Sequence, residues 1–318
     1  MKTRVLAVTP ASVREAARLL AAGVVVAVPT ETVYGLAARL SPDAARRVFR
    51  AKGRPADNPL IVHILDEAQL RGVARRVTPL ARRLIKAFWP GPLTLVLERA
   101  AAVPRAVTAG HDTVAVRMPS HPAARAVLEA LDAPFAAPSA NRSGRPSPTT
   151  AAHVLRDLRG RVPLILDGGP CREGLESTVV DARGLAPVLL RPGTVTLEAL
   201  GRAARRAARA PGRAAAASPG TRHRHYAPTC RVLLVTPAAV RAGRLPANAG
   251  LLHRSAWGGK RLAFQRRISG NVGLYARALF AALREAEAAR LKALAVEIVP
   301  DAGVGKAVMD RLRRAARG

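Results

Sequence analysis

The stretch Val24-Val-Val-Ala-Val-Pro-Thr-Glu-Thr-Val-Tyr-Gly35 opens on a continuous β-branched run, Val24 to Val28, of buried-strand length, and continues into a polar loop. Just upstream, Ser12-Val-Arg-Glu15 has the pattern of a capping box and predicts a helix to about Ala22. Downstream, Ser41-Pro42 predicts a second helix through about Ala51, with proline at its first position. Helix, buried strand, polar loop and helix in that order are the unit of an α/β fold.

The alternation continues outward. Strands are expected at Leu60 to Ile64, Leu93 to Leu97, Thr113 to Arg117, Phe135 to Ala137, Leu164 to Leu166, Thr178 to Val180 and Val188 to Leu190. Helices are expected from Thr78-Pro79 to Phe88, from a Ser120 cap to about Leu131, and from Thr149 or Thr150. From Gly201 to Arg224 the sequence is nearly all Ala, Arg, Gly, Pro and Ser without an acidic residue. Its first part suits a basic helix, and Pro211, Gly212, Pro219 and Gly220 mark the second as linker or loop. Val232 to Val235 then begins a smaller α/β unit, with a helix over Gly273 to Arg290, a strand at Leu294 to Val299 and a closing helix over Gly305 to Ala316. The expected organisation is a first domain over 1–200, a linker over 201–229 and a second domain over 230–318.

A chain of 318 residues is long enough for two cores, and 49% hydrophobic residues exclude a disordered or collagen-like protein. The charge is unusual: 52 Lys+Arg against 21 Asp+Glu give a formal +31, and only six of the 52 are Lys. Such a surface attracts polyanions. Arginine is accompanied by equally heavy use of alanine, however, so a general compositional bias explains the excess as well as selection does. Two cysteines, Cys171 and Cys230, make no disulfide framework or zinc pair. Val5 to Val8 is stopped by Pro10, Arg14 and Glu15, so no signal-peptide core is read, and stretches such as Ala21 to Pro29 fall short of the ~20 residues of a membrane helix. A cytoplasmic protein without membrane contact is expected.

Standard nucleotide and hydrolase motifs are missing. Gly303-Val-Gly305-Lys306-Ala307 lacks the first glycine and the hydroxyl of a phosphate loop and reads as a strand-to-helix turn, and GxGxxG after an early strand, HExxH and GxSxG do not occur. Polar loops remain: Pro29 to Gly35, Lys52 to Pro59, Ser139 to Pro148 and Asp167 to Thr178. In an open α/β sheet such loops flank a crevice beyond the strand ends. Lys52 and Arg54, two residues apart in a Gly/Pro-constrained loop, suit a polyphosphate, although a solvated basic turn has the same pattern. Ser139 and Asn141 offer neutral donors and acceptors, or equally a helix cap or Asx turn. Cys171 reads as a small packing residue.

Taken together, the loops resemble the YrdC-type threonylcarbamoyl-AMP synthases in their long, two-domain form. The matching segments are PTETVYGL at Pro29 to Leu36, KGRPADNPL at Lys52 to Leu60, WPGPLTLVL at Trp89 to Leu97, DTVAVRMP at Asp112 to Pro119, SANRSGRPSPTTAAHV at Ser139 to Val154, DGGPCREGLESTVVD at Asp167 to Asp181, LRPGTVT at Leu190 to Thr196 and RHYAP at Arg224 to Pro228. The C-terminal VEIVPDAGVGKAVMDRLRRAA resembles the family's accessory domain. The resemblance implies an α/β fold with a twisted, mixed, open sheet flanked by helices, plus a smaller Rossmann-like C-terminal domain.

It also implies a reaction, in which L-threonine, bicarbonate or CO2, and ATP give threonylcarbamoyl-AMP and pyrophosphate for the threonylcarbamoyladenosine modification of tRNA. By family position Lys52, Arg54, Ser139 and Asn141 form the catalytic quartet around the phosphates. Asn58, Thr113, Ser147, Arg191 and Tyr226 fall on other ATP-contacting positions, and Thr30, His63, Arg117 and Ser177 on threonine-binding ones, with Arg117 as carboxylate partner. His63 is not assigned as a general base, and a structural strand histidine is the competing reading. Mg2+ is expected to arrive with ATP, with no protein-only metal cage and no organic cofactor. The segment Ser218 to Pro228 resembles a loop folding over the active site, but Thr221, Arg222 and His223 stand where the pattern has Met, Lys and Tyr. Transient tRNA or tRNA-modification proteins are the implied partners. Two other functions compete. A non-catalytic RNA-binding or ribosome-associated protein fits the charge but finds only 3% aromatic residues for stacking. Carbamoyl transfer, as in hydrogenase maturation, would be accompanied by acylphosphatase and zinc-finger segments that this sequence lacks.

Overall fold

In a computed structural model, which describes residues 1–209 and 226–317, the chain folds into two α/β units. Thr221, Arg222 and His223, with most of the expected lid, lie outside the described residues.

The larger unit holds β1 (Arg4–Ala7), β2 (Val26–Val28), β3 (Gly35–Arg39), β4 (Ile61–His63), β5 (Ala74–Arg76), β6 (Leu93–Arg99), β7 (Thr113–Arg117), β8 (Phe135–Ala136), β9 (Leu164–Asp167), β10 (Thr178–Asp181) and β11 (Val188–Arg191). They form one sheet in the order β1-β9-β2-β3-β8-β4-β7-β6-β10-β11, with β5 paired to β6. The β4–β7 and β6–β10 pairs are parallel and β6–β7 is antiparallel, so the sheet is mixed, as expected.

Strand periodicity separates its two faces. Leu36, Val62, Leu95, Val116 and Val180 point to one face and share a core with α2 (Pro42–Lys52), α4 (Pro79–Phe88), α6 (Ala151–Leu158) and α7 (Leu197–Ala204). On the other face, Val26, Val28, Leu164 and Leu166 are covered by α1 (Pro10–Ala21) and α5 (Pro122–Leu131). Those two helices cover only the β1 to β8 half. Ile61, Ala115, Val96 and Val179 continue the same face as a small apolar floor. That uncovered half is where the site forms.

Several element boundaries differ from the sequence reading. Helix α1 starts at Pro10, and its capping box joins Thr9 to Ser12, because Pro10 occupies the first helical position; Glu15 instead pairs with Arg4. Helix α5 is capped by His121, whose Nδ1 accepts from the Ala123 N–H at 3.1 Å, and not by Ser120. Helix α7 carries past residue 200 and buries Leu200 and Ala204 in the larger core, so the first part of the expected linker packs on the first unit. The helix α3 (Glu67–Val73) is also present.

The smaller unit is a parallel sheet in the order β12 (Arg231–Val235), β15 (Ala293–Glu297), β13 (Ala249–His253), β14 (Gln265–Arg267). Around it lie α8 (Pro237–Arg241), α9 (Val272–Ala288) and α10 (Val304–Ala316). Gly303, at φ 53°, turns the chain into α10, the role read from its sequence. No described helix is long and apolar enough to cross a membrane.

The two units share a core, because Val33 and Leu175 of the first pack with Tyr226, Tyr275, Leu279 and Met309 of the second. Gly174 permits the contact: a Cβ there would lie 2.1 Å from the Arg277 carbonyl oxygen of α9. Charge locks the joint. Arg284 of α9, buried, donates to both carboxylate oxygens of Asp157 on α6, at 3.2 and 2.8 Å, and Arg145 bridges Asp157 to Glu287.

Candidate active site

A crevice lies on the uncovered half of the sheet face, with about 580 Å3 of space between its walls and in the open solvent at its mouth. Its floor is one side of β4, where Pro59, Ile61 and His63 alternate inward, and its roof includes Tyr226 from the start of the second unit. The expected crevice beyond the strand ends is therefore displaced onto the face itself. The cause is that α1 and α5 cover only half of that face.

Of the residues expected in the site, Thr30, Arg54, His63, Arg117, Ser139, Ser177, Arg191 and Tyr226 line the crevice. Lys52, Asn58, Asn141 and Ser147 are buried in its supporting wall. Thr113 does not line the cavity; it stands at the opposite end of β7 from Arg117, on the same face by the alternation through Ala115, and is paired with Glu98 of β6.

At one end, β7 delivers Arg117 and β4 delivers His63, directly opposite in register. Arg117 is held on three sides: Nε donates to the Gly91 carbonyl at 3.1 Å, Nη1 to Thr32 Oγ1 at 2.7 Å, and Nη2 forms an ion pair with Glu31 Oε1 at 2.6 Å. Burial alone would raise the Glu31 pKa, but the Arg117 charge outweighs it and holds the carboxyl at about 2. His63 donates from Nδ1 to the Ile61 carbonyl at 3.1 Å and stacks on Phe135 at 5.4 Å. Burial, with the nearby Arg117, lowers its pKa to about 3. The ring is therefore neutral near pH 7 and presents Nε2 as an acceptor. Thr30 Oγ1 donates to the Val33 carbonyl at 2.6 Å and sits 2.9 Å from Thr32 Oγ1.

The other end carries cations. Arg54 donates to the carbonyls of Asn58 and Pro59 at 3.3 and 3.0 Å, and burial lowers its pKa to about 10, which leaves it charged. Arg191 donates to the Ser177 carbonyl and hydroxyl at 3.0 and 3.1 Å, and Ser177 Oγ lies 2.7 Å from Thr94 Oγ1. Gly193 permits the Arg-Pro-Gly turn, since a Cβ there would fall 2.4 Å from the Thr178 nitrogen.

Lys52, expected beside a polyphosphate, is already held by acceptors of the protein itself. Its Nζ donates to the carbonyl oxygens of Ser139, at 2.6 Å, and of Asn141, and to Asn141 Oδ1 at 3.3 Å. Three acceptors around one amine use all three protons of an ammonium. Burial and the Arg54 and Arg284 charges pull its pKa well below the ordinary value, with Asp157 opposing. Asn141 in turn donates to the carbonyls of Arg142 and Arg145 at 2.8 and 2.9 Å. Lys52 thus fixes the loop that carries Ser139. Ser147 donates to Glu176 Oε1, and Tyr226 stacks on Phe280 at 5.4 Å. Cys171 is buried and burial pushes its thiol up to about 12, in keeping with a packing role.

Sequence reasoning assigned no role to Glu31, Thr32 or Glu176. All three lie inside quoted motifs, but nothing in one sequence distinguishes a charge that holds a neighbour from one that faces solvent.

Comparison with known proteins agrees with this layout. A family model covering Sua5, YciO and YrdC proteins, described as telomere recombination, matches residues 18–193, and one described as the threonylcarbamoyl-AMP synthase C-terminal domain matches residues 195–317. The chain is 42% identical to the threonylcarbamoyl-AMP synthase of Pyrococcus abyssi, over 96% of this chain and 94% of that one. Against the Bacillus subtilis enzyme of the same name the identity is 41%, over 96% and 93%. A crystal structure of P. abyssi Sua5 complexed with L-threonine superposes with a TM-score of 0.93 at 41% identity, covering 99% of this chain and 98% of that one. These matches give no support to the non-catalytic RNA-binding reading. With both units matched in order and over nearly the whole chain, the chain belongs to the family of two-domain threonylcarbamoyl-AMP synthases.

Proposed function

We propose that this chain condenses L-threonine, bicarbonate or CO2, and ATP into threonylcarbamoyl-AMP with release of pyrophosphate, the product serving threonylcarbamoyladenosine formation in tRNA. The observation that carries the reading is a single crevice with an anchored Arg117 beside a neutral His63 at one end, and the buried cations Arg54 and Arg191 at the other. The first end suits a zwitterionic amino acid. Arg117 takes the carboxylate in a two-point grip, and Thr30, Ser177 and His63 Nε2 offer polar partners to the ammonium and hydroxyl.

Bicarbonate takes a proton from the threonine ammonium to give CO2 and water, the free amine adds to that CO2 through a new N–C bond and releases its second proton to water, and the carbamate oxygen attacks the α-phosphorus. The bond from that phosphorus to the bridging oxygen breaks, and pyrophosphate leaves with the electron pair. A residue with a pKa of about 3 is too weak a base to take the ammonium proton, so His63 orients and does not abstract. Arg54 and Arg191, with Ser139 held in place by Lys52 and Asn141, face the phosphates and offset charge developing at phosphorus, while Asn58, Thr113, Ser147 and Tyr226 define the nucleotide's seat. Among the described residues no cluster of three His, Cys, Asp or Glu side chains is built to hold a metal ion. Mg2+ carried by ATP would take its ligands from phosphate oxygens and water and would neutralise phosphate charge.

The test is pyrophosphate release with threonine, bicarbonate and ATP each omitted in turn, with the product identified by mass. All three are required on this reading, and Lys52→Ala and Arg117→Ala each abolish release while the circular dichroism stays that of a folded protein. Release that ignores threonine refutes the substrate assignment.

A further inference from the structure

We propose that Arg311, on α10 of the smaller unit, is a positioning residue for the nucleotide end of the crevice, so that the second unit completes the ATP site and does not merely cap it. The proposal rests on the residue roles given above. Arg311 is fully buried. Its Nε donates to Glu176 Oε2 at 3.0 Å, and its Nη1 donates to the Pro192 carbonyl at 2.7 Å and to Asp310 Oδ2 at 3.0 Å. Its guanidinium carbon lies 5.4 Å from the centre of the Tyr226 ring.

Apart from Asp310, its neighbour on α10, each contact leads to the nucleotide end. Glu176 lines the crevice, and its other oxygen accepts from Ser147. Pro192 follows Arg191 in the Arg-Pro-Gly turn, and Tyr226 forms part of the roof. One planar group from the second unit therefore fixes the acceptor for Ser147, the turn bearing Arg191 and the face of Tyr226. Lysine cannot reproduce this, because a compact ammonium lacks the fork that reaches Glu176 and Pro192 from separate nitrogens. At the threonine end, Arg117 takes its anchors from Gly91, Thr32 and Glu31, all of the first unit, and Ser177, which accepts from Arg191, links the two ends, so the larger effect of Arg311 falls on the nucleotide.

The experiment is calorimetric titration of the full chain with a non-hydrolysable ATP analogue and, separately, with L-threonine, alongside KM for both substrates. The variants are Arg311→Lys, the charge-neutral pair Arg311→Met with Glu176→Gln, and Ser147→Ala. The paired variant avoids leaving a buried carboxylate without its cation and keeps the test open if Arg311→Met alone fails to fold. We expect the paired variant to weaken the analogue by about 10-fold or more and leave threonine within about 2-fold, with Arg311→Lys intermediate. If Ser147→Ala weakens the analogue while the folded Arg311 variants bind it as the parent does, or lose both ligands equally, the proposal is overturned and the site assignment stands. If Ser147→Ala leaves the analogue unaffected, the assignment of this end to nucleotide fails and takes the proposal with it.

Discussion

His63 and Glu31 are both buried beside Arg117, and both titrate far from their ordinary values, so the threonine end couples to pH through the fold. Below pH 6.5 the unfolded chain binds a proton at His63 that the folded chain refuses down to about 3, so stability falls with pH across that window, by at most about 1.4 kcal/mol per pH unit. Glu31 acts in the same direction at lower pH. Its pKa, moved from 4.5 to about 2, contributes about 3 kcal/mol above pH 4.5, and this is lost as pH falls toward 2. Denaturant melts of the parent and of His63→Gln from pH 7.5 to 4.5 test the first effect: the parent's advantage shrinks as pH falls. An advantage constant over that range rules out a buried neutral histidine. The histidine and arginine were legible in the sequence through the family positions they occupy on recognisable strands. Their pairing with Glu31 was not, since it depends on a loop after β2 meeting a strand 85 residues further on, as the Thr32–Arg117 hydrogen bond records.

At the scale of elements, regular strands and helices followed from apolar periodicity, and the exceptions have physical reasons. Strand β5, Ala74–Arg76, is three residues long and mostly exposed, and β14, Gln265–Arg267, is polar and exposed throughout, so neither carries an alternating signal. The joint between α6 and α9 was equally silent, because Asp157 and Arg284 look like ordinary surface residues on helices until the two units are docked. Their docked state makes a firm prediction. Asp157 stands between Arg284 and Arg145, and Arg142 N–H also donates to it at 3.3 Å. Asp157→Ala leaves the buried Arg284 without its carboxylate and costs about 3–5 kcal/mol, whereas Asp157→Asn, which keeps the shape and one of the two acceptor oxygens but sets an NH2 against donors in place of the other, costs less. Thermal melts followed by calorimetry check this. The alanine variant shows an earlier transition, split in two where the units come apart, and a single unshifted transition would mean that the pair contributes nothing to the joint.

For the molecule as a whole, the excess of 31 positive charges and the chemistry occupy different places. The cations of the crevice and its support, Lys52, Arg54, Arg117, Arg191 and Arg311, are all buried and hold carbonyls, hydroxyls or carboxylates. Exposed charge such as Arg46 or Arg75 is paired locally and screened by salt. Any attraction of polyanions would therefore be a matter of the outer surface, and adenylate synthesis of the interior. Binding of a fluorescent single-stranded RNA, measured by anisotropy, should weaken steeply between about 50 and 300 mM salt, with log K falling by about 0.7 per log unit of salt for each phosphate neutralised. Over the same range kcat for pyrophosphate release should change little, because the crevice cations are screened by protein and not by ions. The separation also runs the other way: Arg117→Ala abolishes synthesis and leaves the RNA titration superimposable on the parent's. If Arg117→Ala also weakens RNA binding, or if added RNA competes with ATP, the crevice is part of the polyanion surface and the two properties are one.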